Sequence, residues 1–316
     1  MTAAQSLEPS GGRFPSSILL TPTDVADAAR RVAPYVRRTP VLRAEVDGRP
    51  VVFKLEHLQR TGSFKLRGAV NAMLAGDGPS HVVTASGGNH GFAVATAASL
   101  LGRPATVFVP ETVPAGKARR IEATGARLVR HGAIYSEAVD AALEEAAAIG
   151  GMCLPAYNDP HVVAGQGTCA LEVTEQVSDV DTLVVAVGGG GLVAGTALAA
   201  GGRTVVAVEP FGCNALNAAL AAGGPVDTVV DSVASSALGA TRVGEIPFAV
   251  LSSAPVRSVL VSDDEILAAR DRLWEDFRLA VEPAAATGFA AFLAGHIPGD
   301  LPCVVLSGSN TDWTPA

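Results

Sequence analysis

Two rhythms of apolar and polar positions run along this chain, and they mark its elements. Cap-type residues at Thr21-Pro22-Thr23-Asp24 open a stretch in which Val25, Ala28, Val32 and Val36 recur at helical spacing, and Pro40 is expected to stop that helix. Val41-Leu42 and Val51-Val52-Phe53 are short β-type runs on either side of Asp47-Gly48, a dipeptide that favours a hairpin turn. From about residue 70 to 156 the pattern becomes strand, glycine-rich loop, helix. Strands at 81–84, 105–109 and 127–130 alternate with helices at 91–101, 117–124 and 136–149. A second set follows: helix 165–176, strand 182–187, helix 192–200, strand 204–209 and helix 214–222. It is completed by a loop over 235–244, strand 258–261, helices 263–277 and 284–294, and strand 303–306. Strands alternating with helices of this length imply right-handed βαβ crossovers, hence an α/β fold of open, mostly parallel twisted sheets flanked by helices.

The length of 316 residues predicts two lobes or one large α/β unit. With 48% apolar and 17% charged residues the chain has enough to bury for a sizeable core. A net charge of −8 and the lack of a Lys/Arg cluster argue against a nucleic acid or anionic membrane as partner, and point to small molecules. Cys153, Cys169, Cys213 and Cys303 are widely separated and suggest neither a zinc site nor a disulfide framework. The first 17 residues are polar and rich in Gly, Ser and Pro, without the order of a signal peptide, and no apolar run is long enough to span a membrane, so a cytoplasmic address is expected.

Each glycine cluster follows the carboxyl end of a strand, where open α/β sheets bind ligands. In Gly62-Ser63-Phe64-Lys65-Leu66-Arg67-Gly68 a lysine sits in an apolar, tightly turning setting. Such a lysine loses hydration, its pKa falls, and its amine can form a Schiff base. Gly188-Gly189-Gly190-Gly191-Leu192, between a strand and a helix, aims free backbone N–H groups at a phosphate. Gly189-x-Gly191-x-x-Ala194 also meets the dinucleotide fingerprint, with Glu209 near the place of a ribose-binding acid, so the loop alone does not choose its cofactor. Ser86-Gly87-Gly88-Asn89-His90-Gly91 offers a nest for a carboxylate at a helix N-terminus. His90 reads as an orienting or structural histidine rather than a base.

Together with Ser307-Gly308-Ser309-Asn310, in this order and over this span, these motifs resemble the fold-type II pyridoxal-phosphate enzymes (tryptophan synthase β-like), and within them the threonine/serine dehydratase and serine racemase family. The resemblance runs from Arg38-Thr39-Pro40 to Asp312 and includes Ala164-Gly-Gln-Gly-Thr168, Ala207-Val-Glu-Pro210 and Val281-Glu-Pro283. It implies pyridoxal 5′-phosphate as cofactor, held as a Schiff base by Lys65 and bordered by Phe64. Asn89 would bond the ring 3-oxygen, residues 188–192 the phosphate, and Ser307 the pyridine nitrogen. Ser86, Gly87, Gly88, Asn89 and His90 would receive the substrate carboxylate, with Gly239 against the cofactor. The lobes implied are 1–57 with 156–316, which bind the cofactor, and 58–155, which carries the carboxylate loop; the short tail after Ser307 leaves no room for a C-terminal regulatory domain.

The activity implied is β-elimination from a β-hydroxy-L-amino acid such as threonine or serine, giving a 2-oxo acid and ammonia, with Lys65 as the Cα base, in a homodimer. Serine racemisation, or elimination or replacement on a bulkier β-substituted amino acid, is the alternative. A nucleotide-dependent oxidoreductase would leave Lys65, Ser86 and Ser307 unexplained, and a non-catalytic binding protein of the same fold would leave Lys65 unused. Two departures stand out. Glu209 matches a position that helps bind a divalent cation in racemase-like members, but its expected acidic partner falls on Ala215, so no metal site is expected. The position of the second proton carrier in racemase members falls on Gly87.

Overall fold

Alternating short apolar runs and helices build two separate sheets. The computed structural model describes residues 20–314 apart from 77 and 79, so the stretch read as a polar start lies outside the described residues. The chain enters through α1 (Pro22–Val32), whose capping box has the Asp24 carboxylate accepting the Thr21 N–H at 2.8 Å. The helix ends at Val32 rather than continuing to Val36: Pro34 has no N–H to give and its ring displaces the preceding turn, so Pro34 and not Pro40 is the stop.

The larger sheet has the order β1 (Val41–Val46), β2 (Arg49–Lys54), β10 (Pro302–Val305), β7 (Thr182–Ala186), β8 (Thr204–Pro210), β9 (Val256–Val261). Only the β1/β2 pair is antiparallel, joined through Asp47 and Gly48 at φ 51° and 75°, as right-twisted hairpins favour. The smaller sheet is wholly parallel, with the order β5 (Arg127–Arg130), β4 (Ala105–Val109), β3 (Val82–Ala85), β6 (Met152–Cys153). Buried on both faces, the central strands read as continuous apolar runs, and the period of two sorts their side chains. Val52, Leu183, Val185 and Val205 enter one core, and Phe53, Val184, Val206 and Val208 the other. Each such side chain contributes about 1.5–3 kcal/mol by leaving water.

The helices are α2 (Lys65–Leu74), α3 (Asn89–Leu100), α4 (Ala115–Glu122), α5 (Tyr135–Ile149), α6 (Pro160–Gln176), α7 (Gly191–Ala199), α8 (Ala215–Ala222), α9 (Ser235–Leu238), α10 (Glu245–Ser253), α11 (Asp263–Phe277) and α12 (Pro283–Leu293). Four of them depart from the sequence reading. The lysine heptapeptide is not all loop, because α2 starts on Lys65 itself. The stretch read as a loop after residue 235 contains α9 and is followed by α10, where Ile246-Pro-Phe-Ala-Val-Leu lacks a helical period; Pro247 is tolerated there because it sits in the first turn. Helix α6 begins at Pro160, five residues before the expected start, with the Asp159 carboxylate accepting the Val162 N–H at 2.8 Å.

A buried ion network fastens the start of α2 to α6. Arg67 grips Glu56 through Nε and Nη2 at 2.8 and 2.7 Å, and Glu172 through Nη1 and Nη2 at 2.8 and 2.9 Å. Lys54 Nζ closes it on Glu172 at 2.6 Å and on the Thr39 carbonyl at 2.7 Å. Burial works against the Glu56 carboxylate, but the charge and hydrogen bonds of Arg67 outweigh it and hold its pKa below the usual range. Arg67 is two residues from Lys65, so this network fixes the lysine's place.

Candidate active site

The last strand, β10, inserts between β2 and β7, and that topology creates the site. Beyond it, Leu306 N–H donates to the Lys54 carbonyl at 2.9 Å, His57 N–H to the Leu306 carbonyl at 2.8 Å, and Phe64 N–H to the Ser307 carbonyl at 3.1 Å. Ser307 is thereby laced to the residue preceding Lys65. A cavity of about 460 Å³ opens at the strand ends, and its lining brings together every site residue picked from the sequence: Phe64, Lys65, the 86–90 loop, residues 188–192, Gly239 and Ser307.

Lys65 Nζ donates to the Ala156 carbonyl at 2.9 Å and lies 5.1 Å from the centre of the Phe64 ring. Burial alone pushes its pKa down to about 8, so a useful fraction of free amine exists near neutral pH.

The phosphate-type loop leaves β7 and enters α7 at Gly191. Gly190 takes φ 92°, a conformation that strains any residue with a β-carbon. At Gly189 an added β-carbon would collide with the Tyr157 ring, so the loop is a cradle open to a ligand only while its residues lack side chains. The unpaired N–H groups at the start of α7 point out of this cradle and suit an anion.

The carboxylate-type loop ends β3 and starts α3. Ser86 Oγ accepts the Gly88 N–H at 3.2 Å, which curls the loop around the helix N-terminus. Asn89 is held at both ends, donating from Nδ2 to Glu282 Oε1 at 2.8 Å and accepting at Oδ1 from Asn310 Nδ2 at 2.8 Å. His90 Nε2 donates to the Leu154 carbonyl at 3.0 Å, and burial, reinforced by Lys65, pushes its pKa down to about 3. It is a neutral, structural ring rather than a general base.

Sequence reasoning gave no role to Glu282, Tyr157, Lys117 or the 110–114 strap, all of which contribute to the cavity lining. Burial pushes the Glu282 carboxyl up to about 7, although the Asn89 N–H pulls the other way. A glutamate wedged between Val281 and Pro283 was the one available signal. Glu209 lies outside the cavity lining: its oxygens accept the backbone N–H groups of Leu216 and Asn217, both at 2.8 Å, at the start of α8. A carboxylate committed to a helix start is not a ribose ligand, which removes the dinucleotide reading of the glycine loop.

Comparison with known proteins follows the same lines. The profile of the family described as "Pyridoxal-phosphate dependent enzyme" matches residues 32–308. The chain is 36% identical to L-threo-3-hydroxyaspartate ammonia-lyase of Saccharomyces cerevisiae, over 93% of this chain and 95% of that protein. It is 38% identical to serine racemase of Rattus norvegicus, over 92% of this chain and 93% of that one. Among solved structures it superposes on the processed form of threonine deaminase isoform 2 from Solanum lycopersicum with a TM-score of 0.87 and 32% identity, covering 92% of this chain and 85% of the other.

Proposed function

The chain belongs to the pyridoxal-phosphate-dependent enzymes of fold type II, and from that premise we propose that it is an ammonia-lyase that eliminates water from a β-hydroxy-L-amino acid such as threonine or serine, giving a 2-oxo acid and ammonia. The observation that carries the reading is the desolvated Lys65 amine in a cavity where a phosphate cradle, a carboxylate nest and the Ser307 hydroxyl meet. These residues fit pyridoxal 5′-phosphate. Lys65 would hold its aldehyde carbon and Phe64 flank it, Asn89 would bond the 3-oxygen, the N–H groups of Gly188, Gly189, Gly190, Gly191 and Leu192 the phosphate, and Ser307 the ring nitrogen. When bound, the cofactor supplies an electron sink for the pair left at Cα.

The chain's own residues do the rest. The Ser86 to His90 loop would orient the substrate carboxylate, with Gly239 against the cofactor. The Lys65 amine would take the Cα proton at Nζ, and the β-hydroxyl would leave with a proton as the Cα–Cβ double bond forms. Ser307 is a neutral partner that does not hold the ring nitrogen protonated, which favours elimination over transamination. A release screen for 2-oxo acid and ammonia over β-hydroxy amino acids of both configurations, 3-hydroxyaspartate included, tests the reading; no release from any of them overturns it.

The strands of the smaller sheet all fall within 58–155 and those of the larger sheet outside it, which supports the lobe division expected from the sequence. The cytoplasmic address and homodimer belong to the same proposal. Among the described residues no helix is long and apolar enough to cross a membrane, and light scattering on the purified protein measures the assembly.

Cofactor uptake by the cofactor-free protein should quicken as pH rises, with a midpoint about 8, because only the unprotonated Lys65 amine reacts and burial has brought its pKa there. A midpoint near the ordinary lysine value, roughly 10.4, would show a hydrated lysine instead. Ser307→Ala should retain the fold and weaken cofactor binding by about 1 kcal/mol, roughly fivefold in Kd, as one neutral hydrogen bond warrants. Fluorescence titration with the cofactor reads the change, and an unaltered Kd removes Ser307 from the ring.

A further inference from the structure

We infer that α6 is the spacer that sets the distance between the Lys65 amine and the phosphate cradle, with Gly165 and Gly167 as the positioning residues. The inference rests on the proposed binding of pyridoxal 5′-phosphate, whose aldehyde and phosphate hang from one rigid ring. Both ends engage only when the two protein groups stand at a matching separation. Lys65 begins α2, and the cradle runs into α7. Both of these helices rest on α6 through bare backbone. On one side, a turn beyond Lys65, a β-carbon built on Gly165 would come within 2.7 Å of the Arg67 carbonyl oxygen and of Gly68 Cα. On the other, a turn into α7, a β-carbon on Gly195 would lie 2.4 Å from the Val163 carbonyl oxygen and 2.5 Å from Gly167 N. One on Gly167 would lie 2.7 Å from the Gly195 carbonyl oxygen. Gly165 and Gly167 are two residues apart, and at about 100° per residue they face opposite sides of α6. The lysine helix and the cradle helix are thus held apart by the thickness of one helix backbone.

No rotamer change can ease this spacing, because the nearest atoms on both helices are main-chain atoms. Side chains fix the register as well. Gln166 Oε1 accepts the Gly68 N–H at 3.2 Å, Asn71 Nδ2 donates to the His161 carbonyl at 2.7 Å, and Arg67 Nη1 donates to Thr168 Oγ1 at 3.2 Å, so α2 does not slide along α6. The residues leading into α6 repeat the pattern. The Ala156 carbonyl accepts from Lys65 Nζ at 2.9 Å, and the Tyr157 ring lies where a β-carbon on Gly189 would come within 2.2 Å of it. One continuous segment, 156–167, therefore touches both the anchor and the cradle at two levels. Glycine inside a helix is destabilising relative to alanine, and close approach explains why α6 keeps two of them at 165 and 167 and α7 one at 195. It also gives a role to Ala164-Gly-Gln-Gly-Thr168, a motif with no residue in the cavity lining. Ser307 is laced to Phe64 and so belongs to the α2 side. Pyridoxal, which lacks the phosphate, would be held by that side, and inorganic phosphate by the cradle. The whole cofactor gains the effective concentration that a correctly spaced pair of sites confers.

Binding of three ligands to the cofactor-free protein tests this: pyridoxal 5′-phosphate, pyridoxal and inorganic phosphate. Absorbance and borohydride trapping read the two aldehydes, and the rise in melting temperature reads phosphate. The affinity for the whole cofactor divided by the product of the two partial affinities is an effective concentration, which reports the spacing. Gly167→Ala and Gly195→Ala should each lower this ratio on the order of tenfold or more, with the affinities for pyridoxal and for phosphate within about threefold of wild type. Ile266→Val, in the core on the other face of the larger sheet, should lower the melting temperature and leave the ratio unchanged. In Gly68→Ala the new β-carbon meets first the Gln166 side-chain amide, at 2.4 Å, which makes the displacement milder. Adding Gln166→Ala should restore part of the ratio, and this pair decides the matter if the variants on the α7 side do not fold. A ratio that falls as far in Ile266→Val overturns the inference. So does one that stays at the wild-type value in the glycine variants while their melting temperatures fall, or a loss carried wholly by one partial affinity. A wild type that forms no trapped adduct with either aldehyde overturns the reading of Lys65 itself, and the spacing inference with it.

Discussion

Lys65→Ala is expected to fold, to take up the cofactor without a covalent link, and to lose turnover by at least about 10³-fold, because in the proposed mechanism one amine serves as both the covalent anchor and the Cα base. Folding should survive for a physical reason. The native ammonium is disfavoured by burial, which brings its pKa to about 8, so removing it relieves a desolvation penalty. Its one hydrogen bond, to the Ala156 carbonyl, is lost. Alanine is also a strong helix former at the position where α2 begins. Phosphate binding by the cradle should persist, since the N–H groups of residues 188–192 do not depend on the lysine. Circular dichroism, the melting temperature and ammonia release from the selected substrate together check the result. Turnover within tenfold of wild type, in a preparation free of wild-type contamination, would remove Lys65 from the mechanism.

Arg67→Met should be the most destabilising of the substitutions considered, by about 3–5 kcal/mol, because it strands Glu56 and leaves Glu172 with only Lys54 in a dry site. In wild type the lowered pKa of Glu56 makes its contribution present above the unfolded carboxylate value and lost as pH falls through the lower folded one. The variant reverses the sign. Without the arginine only Lys54 and the Thr39 hydroxyl still oppose burial, the Glu56 carboxyl pKa rises, and the deficit is largest above that raised value and shrinks as pH falls and the group is neutralised. Denaturant melts at several pH values read this directly. Glu56→Gln added to Arg67→Met should recover part of the loss, and a deficit that is flat with pH and unrescued would place the cause elsewhere. Because Arg67 lies two residues past Lys65, a folded fraction of the variant should also turn over more slowly.

Much of the molecule was legible in the chain because the relevant physics is local. The apolar runs at 82–85 and 182–186 read as buried strands, the glycine cluster after each as a close-approach loop, and alternation with helices favours parallel pairing. Lys65, the nest from Ser86 to Gly91 and the run from Gly188 to Gly191 were therefore found from residue type and neighbours. Helix ends were less secure. Pro34 stopped α1 where apolar spacing suggested continuation, and the Ile246 to Leu251 run hid its helical period because the water-facing side of α10 carries the apolar Ala249 beside Glu245, Ser252 and Ser253, while Pro247 and Leu251 are buried.

What the sequence by itself determined was the class of fold and the groups able to do the chemistry, since periodicity, turn stereochemistry and the desolvation of a lysine between apolar neighbours act over a few residues. Only the tertiary structure decided which distant groups meet. Insertion of β10 between β2 and β7 laces Ser307 to Phe64, Asn89 finds Glu282 from 193 positions away, Arg67 closes on Glu172, and Gly167 settles against Gly195. Such pairings have no local signature, because they follow from strand order and crossover geometry, and only after the chain has closed does a carboxylate become buried or a glycine become obligatory.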